Sequence, residues 1–446
     1  MQTATRPRHG LPTRPYRPRL IALVNQLGQG LGALGLQPPG SWAGPLTVSD
    51  LIAAARRRTG LSDFGDEAFR EPLERLLWSI EAEARLHTVG RLITRTRLVG
   101  ALATRLRVRE FVRRHPAVLE GALPPPIVIA GLQRTGTTLL HRLLASDPEL
   151  RALLSWEAIA PVAPGAVTPA GSRGLGASLG ARLRGGVAGT DPRVLQARLS
   201  VRALSYMAPE FFAIHPVEPE APEEDVLLLD YSFLSTVPEA TLHVPSYGRW
   251  LETQDHTPAY EYMATLLRVL SAQRGPRRWI LKTPHHLEYL DVLRQVFPGV
   301  RIIQTHRDPA RTLASLCSMI THGRGVFSDH VDPHEVGREW SRKVGRMLER
   351  SLAVRAAAHD EGFVDVSYYD LVRDPVGEVR RLYERLGLAW SPATRERLEA
   401  TRRDNPQHKY GRHAYRLEDF GLSERGVEPL LAAYRARFAL PPEPRA

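Results

Sequence analysis

Residues 124–144, PPPIVIAGLQRTGTTLLHRLL, decide the fold of this chain. The short β-branched run IVIA predicts a strand, the glycine-containing segment after it a tight turn, and the residues from 137 onward a helix. This order is typical of a loop that binds phosphate at a helix N-terminus. In loops that bind nucleoside triphosphates, a lysine precedes the last Ser or Thr, but Thr137 stands there in this sequence. The loop carries an arginine, Arg134, instead.

We expect this loop to bind an anionic group. The backbone N–H groups of residues 134–138 would converge on the anion, and the helix dipole would add to their attraction. Thr135, Thr137 and Thr138 offer hydroxyl groups, and Arg134 offers a planar fork that suits phosphate or sulfate oxygens. A glycine turn followed by a threonine helix cap is the alternative interpretation.

The composition is that of a globular protein with a strong positive charge. The 446 residues carry a net charge of +12, and all but three of the 60 basic residues are arginines. These arginines are dispersed and are not interleaved with aromatic residues, so we expect an anionic small molecule rather than nucleic acid. The single cysteine, Cys317, excludes disulfides and cysteine metal sites within the chain and favours a reducing compartment, the cytoplasm. We expect no bound metal.

Strand and helix patterns alternate after the three prolines at 124–126. Further strands are predicted in RRWILKT (277–283), VRIIQTHRD (300–308) and GFVDVSYYDLVRDP (362–375). The fold class is therefore α/β, a P-loop-like parallel sheet flanked by helices. We divide the chain into an arginine-rich N-terminal helical region (1–120) and an α/β domain (121–446), within which residues 150–275 are expected to form an acceptor-binding insertion.

Two other strand ends carry polar side chains, and ligands bind at this edge of parallel sheets. Lys282 follows the second strand, with His285 and His286 just after it. Lysine is a compact charge for a transferring anionic group, and histidine accepts protons near neutral pH. Arg307 ends the third strand, and Ser315 follows eight residues later, so the two side chains are placed to hold a second phosphate. The alternatives are a polar turn with exposed histidines and an Arg307 paired with Asp308 or another nearby acid.

A competing hypothesis comes from VLLLD (226–230). An apolar strand that ends in aspartate holds Mg²⁺ in P-loop NTPases, which would make the chain an ATPase or a nucleotide kinase. The missing loop lysine argues against this function. A non-catalytic nucleotide-binding protein on the same fold is a third hypothesis.

The N-terminal sequence predicts a buried or interfacial amphipathic helix rather than a signal peptide. Residues 20–36, LIALVNQLGQGLGALGL, are interrupted by Asn25, Gln26 and Gln29 and lack a convincing cleavage site. The run is not apolar enough to cross a membrane. A peripheral membrane contact through residues 16–36 is a hypothesis.

Taken together, the motifs resemble the sulfotransferase superfamily, which uses 3′-phosphoadenosine-5′-phosphosulfate (PAPS), and most closely a bacterial family. The resemblance rests on the RTGTT loop, KTPHHL (282–287), THRDP (305–309) and YYDLVRDP (368–375), together with WE (156–157) and APEED (221–225). It implies an enzyme that moves a sulfuryl group to a hydroxyl or amine of a small-molecule, lipid or glycan acceptor.

The resemblance also implies roles for single residues. The loop that holds the 5′-phosphosulfate falls on Arg134, Thr135, Gly136, Thr137 and Thr138. The 3′-phosphate site falls on Arg307 and Ser315, the adenine contact on Tyr368, and the lysine beside the sulfuryl group on Lys282. The family's usual histidine position is Pro284 here, so the expected base is His286, with His285 as the alternative. Lys409 or Arg412 would complete the 3′-phosphate site.

Overall fold

The computed structural model describes residues 16–33, 46–163, 166, 191–209, 217–405 and 415–443. Its centre is one parallel sheet of five strands in the order β2-β3-β1-β4-β5. The strands are β1 (Ile127–Gly131), β2 (Leu150–Ala152), β3 (Arg278–Lys282), β4 (Arg301–His306) and β5 (Phe363–Ser367). The predicted α/β class and the four predicted strands are confirmed. The short edge strand β2 was not predicted, because three residues carry too little pattern.

Helices cover both faces of the sheet and extend N-terminal to it. They are α1 (Arg19–Ala33), α2 (Val48–Thr59), α3 (Arg70–Glu83), α4 (Thr88–Arg114), α5 (Thr137–Ala145), α6 (Ser155–Ile159), α7 (Pro192–Met207), α8 (Val226–Leu229), α9 (Val237–Thr241), α10 (Pro245–Leu251), α11 (Thr257–Arg274), α12 (Leu290–Val296), α13 (Pro309–Gly325), α14 (Pro333–Ala357), α15 (Tyr368–Arg373), α16 (Pro375–Leu386), α17 (Pro392–Asp404) and α18 (Glu424–Arg437). A 3₁₀ turn, Pro284–Glu288, joins β3 to α12.

The N-terminal helices share their core with the sheet. Leu51, Leu73 and Leu102 are fully buried and belong to the same hydrophobic cluster as Val128 of β1 and Trp279 of β3. All five strands of the sheet lie after residue 120, but the packing is continuous across that boundary. A buried core of this kind fixes the position of the strand ends, where the polar side chains lie.

The run VLLLD is helical, which corrects the strand that the NTPase hypothesis required. Val226–Leu229 form α8, and Asp230 begins a short 3₁₀ turn. The Asp230 carboxylate accepts hydrogen bonds from Arg97 (2.7 Å) and Ser235 (2.7 Å). Short apolar runs fit a buried helix as well as a strand, so the pattern alone could not decide.

No helix in the described ranges combines the length and apolar character needed to cross a membrane. Of the Pro/Gly/Ala-rich stretch 161–190, for which the sequence predicts a mobile loop, residues 164–165 and 167–190 lie outside the described part.

Candidate active site

The loop after β1 is held tightly against the neighbouring strand β4. Gly131 pairs with Thr305, and a side chain at Gly131 would overlap the Thr305 hydroxyl. Thr135 is buried, its hydroxyl donates to the Leu132 carbonyl (2.6 Å), and it also contacts the Thr305 hydroxyl (2.6 Å). The Thr135 hydroxyl thus stabilises the loop through these two contacts, and the backbone N–H of Thr135 is the group that we expect a ligand to use.

Two residues of the turn before α5 have a left-handed backbone conformation. Gly136 has φ 87° and precedes α5, and a Cβ there would approach Leu371 Cδ2 to 2.8 Å. Arg134 has φ 68°, a left-handed conformation that costs energy in a non-glycine residue. Its side chain is exposed, as is that of Thr138, whereas Thr137 is buried at the first turn of α5. The first N–H groups of a helix lack partners within it, so this end attracts anions.

At the end of β3, Lys282 is buried and paired with a carboxylate. Its Nζ donates to Glu224 Oε1 at 2.6 Å, and the Thr283 hydroxyl donates to Glu224 Oε2 at 3.3 Å. The Lys282 side chain is 5% exposed and that of Glu224 is 21% exposed, so the carboxylate is the more accessible partner. Lys282 lies opposite Ile129 of β1, which places this pair beside the strand that leads into the loop.

His286 occupies a closed hydrogen-bond network. Its Nε2 donates to Asp225 Oδ2 (2.7 Å), its Nδ1 lies within hydrogen-bond distance of the Tyr260 hydroxyl (2.8 Å), and the residue is completely buried. Asp225 Oδ1 also accepts the backbone N–H of Lys282 (2.8 Å). Burial alone would raise the pKa of Asp225, but His286 and these N–H donors hold it below its ordinary value. Both ring nitrogens of His286 therefore already have hydrogen-bond partners within the protein.

His285 is also buried, and its ring lies among other aromatic rings. Its Nδ1 contacts the Thr236 hydroxyl (3.2 Å), and its Nε2 has no hydrogen-bond partner among the described residues. Burial lowers its pKa well below the ordinary value, with a further contribution from His256. This histidine is therefore neutral at physiological pH, and only 1% of its surface is exposed.

Arg307 joins the loop to the C-terminal end of the chain. Its Nη1 donates to the Arg134 carbonyl (2.9 Å), and its guanidinium lies 4.1 Å from the centre of the Tyr368 ring. Its other nitrogens bind Glu443, with Nε–Oε1 at 2.6 Å and Nη2–Oε2 at 2.7 Å. Arg307 therefore pairs with an acid, as the alternative interpretation has it, but this acid is Glu443 and not Asp308, which pairs with Arg435 (3.0 Å).

The remaining predicted residues divide into buried and undescribed ones. Ser315 is buried within α13, two turns after its start. Lys409 and Arg412 lie outside the described residues. In the part of the chain that the structure describes, no group of three His, Cys, Asp or Glu side chains could hold a metal ion.

Sequence reasoning missed the partners of these side chains. Glu224 and Asp225 belong to APEED, which the resemblance included but gave no role. Both carboxylates contact Lys282 at the end of β3, and an isolated bridge pairs Leu154, just after β2, with Pro222 of the same segment. Glu443 gave no sequence signal, because only the folded chain brings it to Arg307.

Comparison with known proteins places this chain in a family. Residues 125–392, more than half of the chain, match the model of the sulfotransferase family. A relative from Mycobacterium bovis, named omega-hydroxy-beta-dihydromenaquinone-9 sulfotransferase Stf3, is 25% identical over 312 residues, which cover 66% of this chain and 71% of the relative.

Two solved structures agree in fold over nearly the whole chain. Sulfotransferase STF1 from Mycobacterium tuberculosis H37Rv has a TM-score of 0.73 at 32% identity and covers 87% of this chain and 99% of its own. Sulfotransferase STF9 from Mycobacterium avium has a TM-score of 0.78 at 29% identity, with coverages of 90% and 98%. The chain belongs to the sulfotransferase family and is a sulfotransferase, as its three strand-end motifs predict.

Proposed function

We propose that this enzyme transfers a sulfuryl group from PAPS to a hydroxyl of a lipid-like acceptor, without a metal ion. The observation that carries the proposal is the arrangement of the loop, the Lys282–Glu224 pair and Arg307 on β1, β3 and β4, which are adjacent strands of one parallel sheet. The N–H groups of residues 134–138 and the Arg134 side chain would hold the 5′-phosphosulfate. Arg307, with Tyr368 against it, would hold the 3′-phosphate end.

We propose Glu224 as the base, in place of the two histidines that the sequence favoured. Its side chain is 21% exposed, and it contacts the lysine expected beside the sulfuryl group. The acceptor hydroxyl would pass its proton to Glu224 while its oxygen forms the new bond to sulfur. The bond from sulfur to the bridging oxygen breaks, and the donor's 5′-phosphate leaves with the electron pair. Lys282 and the loop N–H groups would stabilise the charge on that oxygen.

His286 then acts through other residues. It hydrogen-bonds Asp225, and Asp225 accepts the backbone N–H of Lys282. The network would therefore position Lys282 at the end of β3. His285 remains the second candidate for the base, because its Nε2 has no partner among the described residues. It would need an opening of the surrounding rings before it could reach an acceptor.

A lipid-like acceptor is supported by the exposed face of α1. Four leucines spaced three or four residues apart lie on one side of this helix with 41–61% of their surface exposed: Leu20, Leu23, Leu27 and Leu31. The opposite side packs on α4, where Asn25 accepts the backbone N–H of Val89 (3.0 Å). Residues 1–19 contain five arginines and no acidic residue. We propose that this face binds an anionic lipid surface and brings the site to a membrane-embedded acceptor.

Flotation of the full-length chain tests the membrane contact. The wild type should float with phosphatidylglycerol vesicles and not with phosphatidylcholine alone, and Leu27→Glu should abolish flotation. Leu199→Glu is the matched control, because Leu199 is 54% exposed on α7. If Leu27→Glu floats like the wild type, the membrane proposal is wrong. If this face of α1 instead joins two copies of the chain, Leu27→Glu should have a lower apparent mass in solution than the wild type.

Nucleotide binding tests the donor. Calorimetry should show that adenosine 3′,5′-bisphosphate (PAP) binds more tightly than ADP or ATP, with or without Mg²⁺. Tighter binding of MgATP would favour the NTPase hypothesis, for which the helical Asp230 offers no support. Binding of PAP without turnover on any acceptor would favour the non-catalytic hypothesis.

Cys317 is buried and forms no disulfide, and we propose the cytoplasm as the compartment.

A further inference from the structure

The carboxylate of Glu443 binds Arg307, the residue expected to hold the 3′-phosphate of PAPS. Arg307 binds it through two parallel hydrogen bonds, and the Tyr369 hydroxyl donates to the same Oε1 at 3.1 Å. A planar guanidinium binds carboxylate and phosphate oxygens in the same fork geometry. The side chains of Arg307 and Glu443 are 13% and 17% exposed, so the pair is well protected from solvent.

The end of the chain holds Glu443 in this position. Leu440 is buried, and its N–H donates to the Arg435 carbonyl (3.0 Å). The N–H of Glu443 donates to Asp308 Oδ2 (2.9 Å), directly after Arg307 in sequence. Two prolines, Pro441 and Pro442, lie between these contacts and limit the conformations of the segment. The carboxylate is therefore presented by a short segment with a contact at each end.

We propose that Glu443 competes with the donor's 3′-phosphate for Arg307 and Tyr369, and that it thereby sets both the affinity and the selectivity of donor binding. This inference rests on the proposed function. A 3′-phosphate carries nearly two negative charges at neutral pH, so it replaces a single carboxylate on the guanidinium. A nucleotide with a 3′-hydroxyl has no group to offer in exchange, and the Arg307–Glu443 pair stays closed beside it.

The consequence is that the binding-competent state of Arg307 is only fractionally populated. Apparent affinity for a ligand falls by the fraction of molecules in the competent state. A pair that is closed about nine times in ten lowers PAP affinity about tenfold, equivalent to about 1.4 kcal/mol. The affinity of ligands that do not bind Arg307 is not lowered in this way. Tyr369 becomes an additional phosphate-binding residue, which the family motifs did not indicate.

Calorimetry on Glu443→Gln tests the proposal, with PAP and 5′-AMP as probes. Glutamine keeps the size of the side chain and removes the charge, so PAP should bind about tenfold more tightly than to the wild type. The affinity for 5′-AMP should change by less than about twofold. Glu399→Gln is the charge-matched control, because Glu399 pairs with Arg395 on the surface of α17, and it should leave both affinities unchanged.

A second variant tests the ligand set itself. Tyr369→Phe in the Glu443→Gln background should weaken PAP binding by about three- to tenfold and leave 5′-AMP binding unchanged. Equal PAP affinities in wild type and Glu443→Gln would overturn the competition, and so would an equal gain for 5′-AMP. Weaker PAP binding to Glu443→Gln would also overturn the competition, because Glu443 would then contribute to PAP binding. Failure of all variants and the wild type to bind PAP would instead contradict the proposed donor.

Discussion

Replacing Glu224 by glutamine separates the two candidate bases most clearly. The amide is nearly isosteric, and its oxygen can still accept from Lys282 Nζ, which lies 2.6 Å from Glu224 Oε1. What the substitution removes is the ability to take up a proton. If Glu224 is the base, kcat should fall by about 10²–10⁴-fold, or about 3–5 kcal/mol in the barrier. PAP affinity should be nearly unchanged, because Glu224 does not belong to the phosphate-binding groups.

The structure also sets the accompanying stability change. Lys282 is only 5% exposed, so its ammonium would lose a charged partner and keep a neutral one. We expect the free energy of unfolding to fall by about 1–3 kcal/mol in urea denaturation. The assay is transfer of labelled sulfuryl from PAPS to a lipid extract of the source organism, at saturating PAPS, with folded protein confirmed for each variant.

A neighbouring carboxylate supplies the control for this experiment. Glu223→Gln makes the same change one residue earlier, where Glu223 accepts from the Ser155 hydroxyl (2.9 Å) and from the backbone N–H of Glu224 (2.9 Å). A glutamine oxygen can still accept both hydrogen bonds, and the ion pair of Lys282 is formed with Glu224. It should keep wild-type kcat within about threefold. Wild-type turnover in Glu224→Gln, with loss of turnover in His285→Gln, would refute the assignment of Glu224 and return the role to His285.

Three further predictions follow from the packing around the site. Gly131→Ala should lower the free energy of unfolding by about 1–3 kcal/mol and weaken PAP binding, because the new methyl group overlaps Thr305. Unchanged values in urea denaturation and calorimetry would contradict the close approach of Gly131 to Thr305. His286→Ala should lower stability by about 3 kcal/mol and kcat together, since Asp225 stays buried without its partner; full stability with lost turnover would point to a direct catalytic role. Burial lowers the pKa of His256 to about 4, so the folded chain binds fewer protons than the unfolded chain as the pH falls below about 6.5. The free energy of unfolding should therefore fall by up to about 3 kcal/mol between pH 6.5 and 4 because of this residue. His256→Asn should flatten that part of the plot of stability against pH.

The sequence predicts the parts of this structure that depend on local pattern. The strand, turn and helix of residues 127–145 were predictable, because β-branched residues, Gly136 and the amphipathic run occur together within a few residues. Lys282 and Arg307 were located by the same means, as polar residues at strand ends. The parallel sheet followed from the alternation of strands and helices.

Long-range partners were not predictable from local pattern. His286 is predicted as a base because it follows Lys282, but its hydrogen-bond partners, Asp225 and Tyr260, come from other parts of the chain. Glu224 contacts Lys282 only after APEED packs against the end of β3. Likewise, the run before Asp230 has the apolar character of a strand, and its surroundings make it a helix.

The most direct test of the central claim is incubation of the enzyme with radiolabelled PAPS and a lipid extract of the source organism. We predict that a lipid gains one sulfuryl group, that one PAP appears for each group transferred, and that added EDTA leaves the rate unchanged. Labelled phosphate release from MgATP, without any sulfated product from PAPS, would contradict the account.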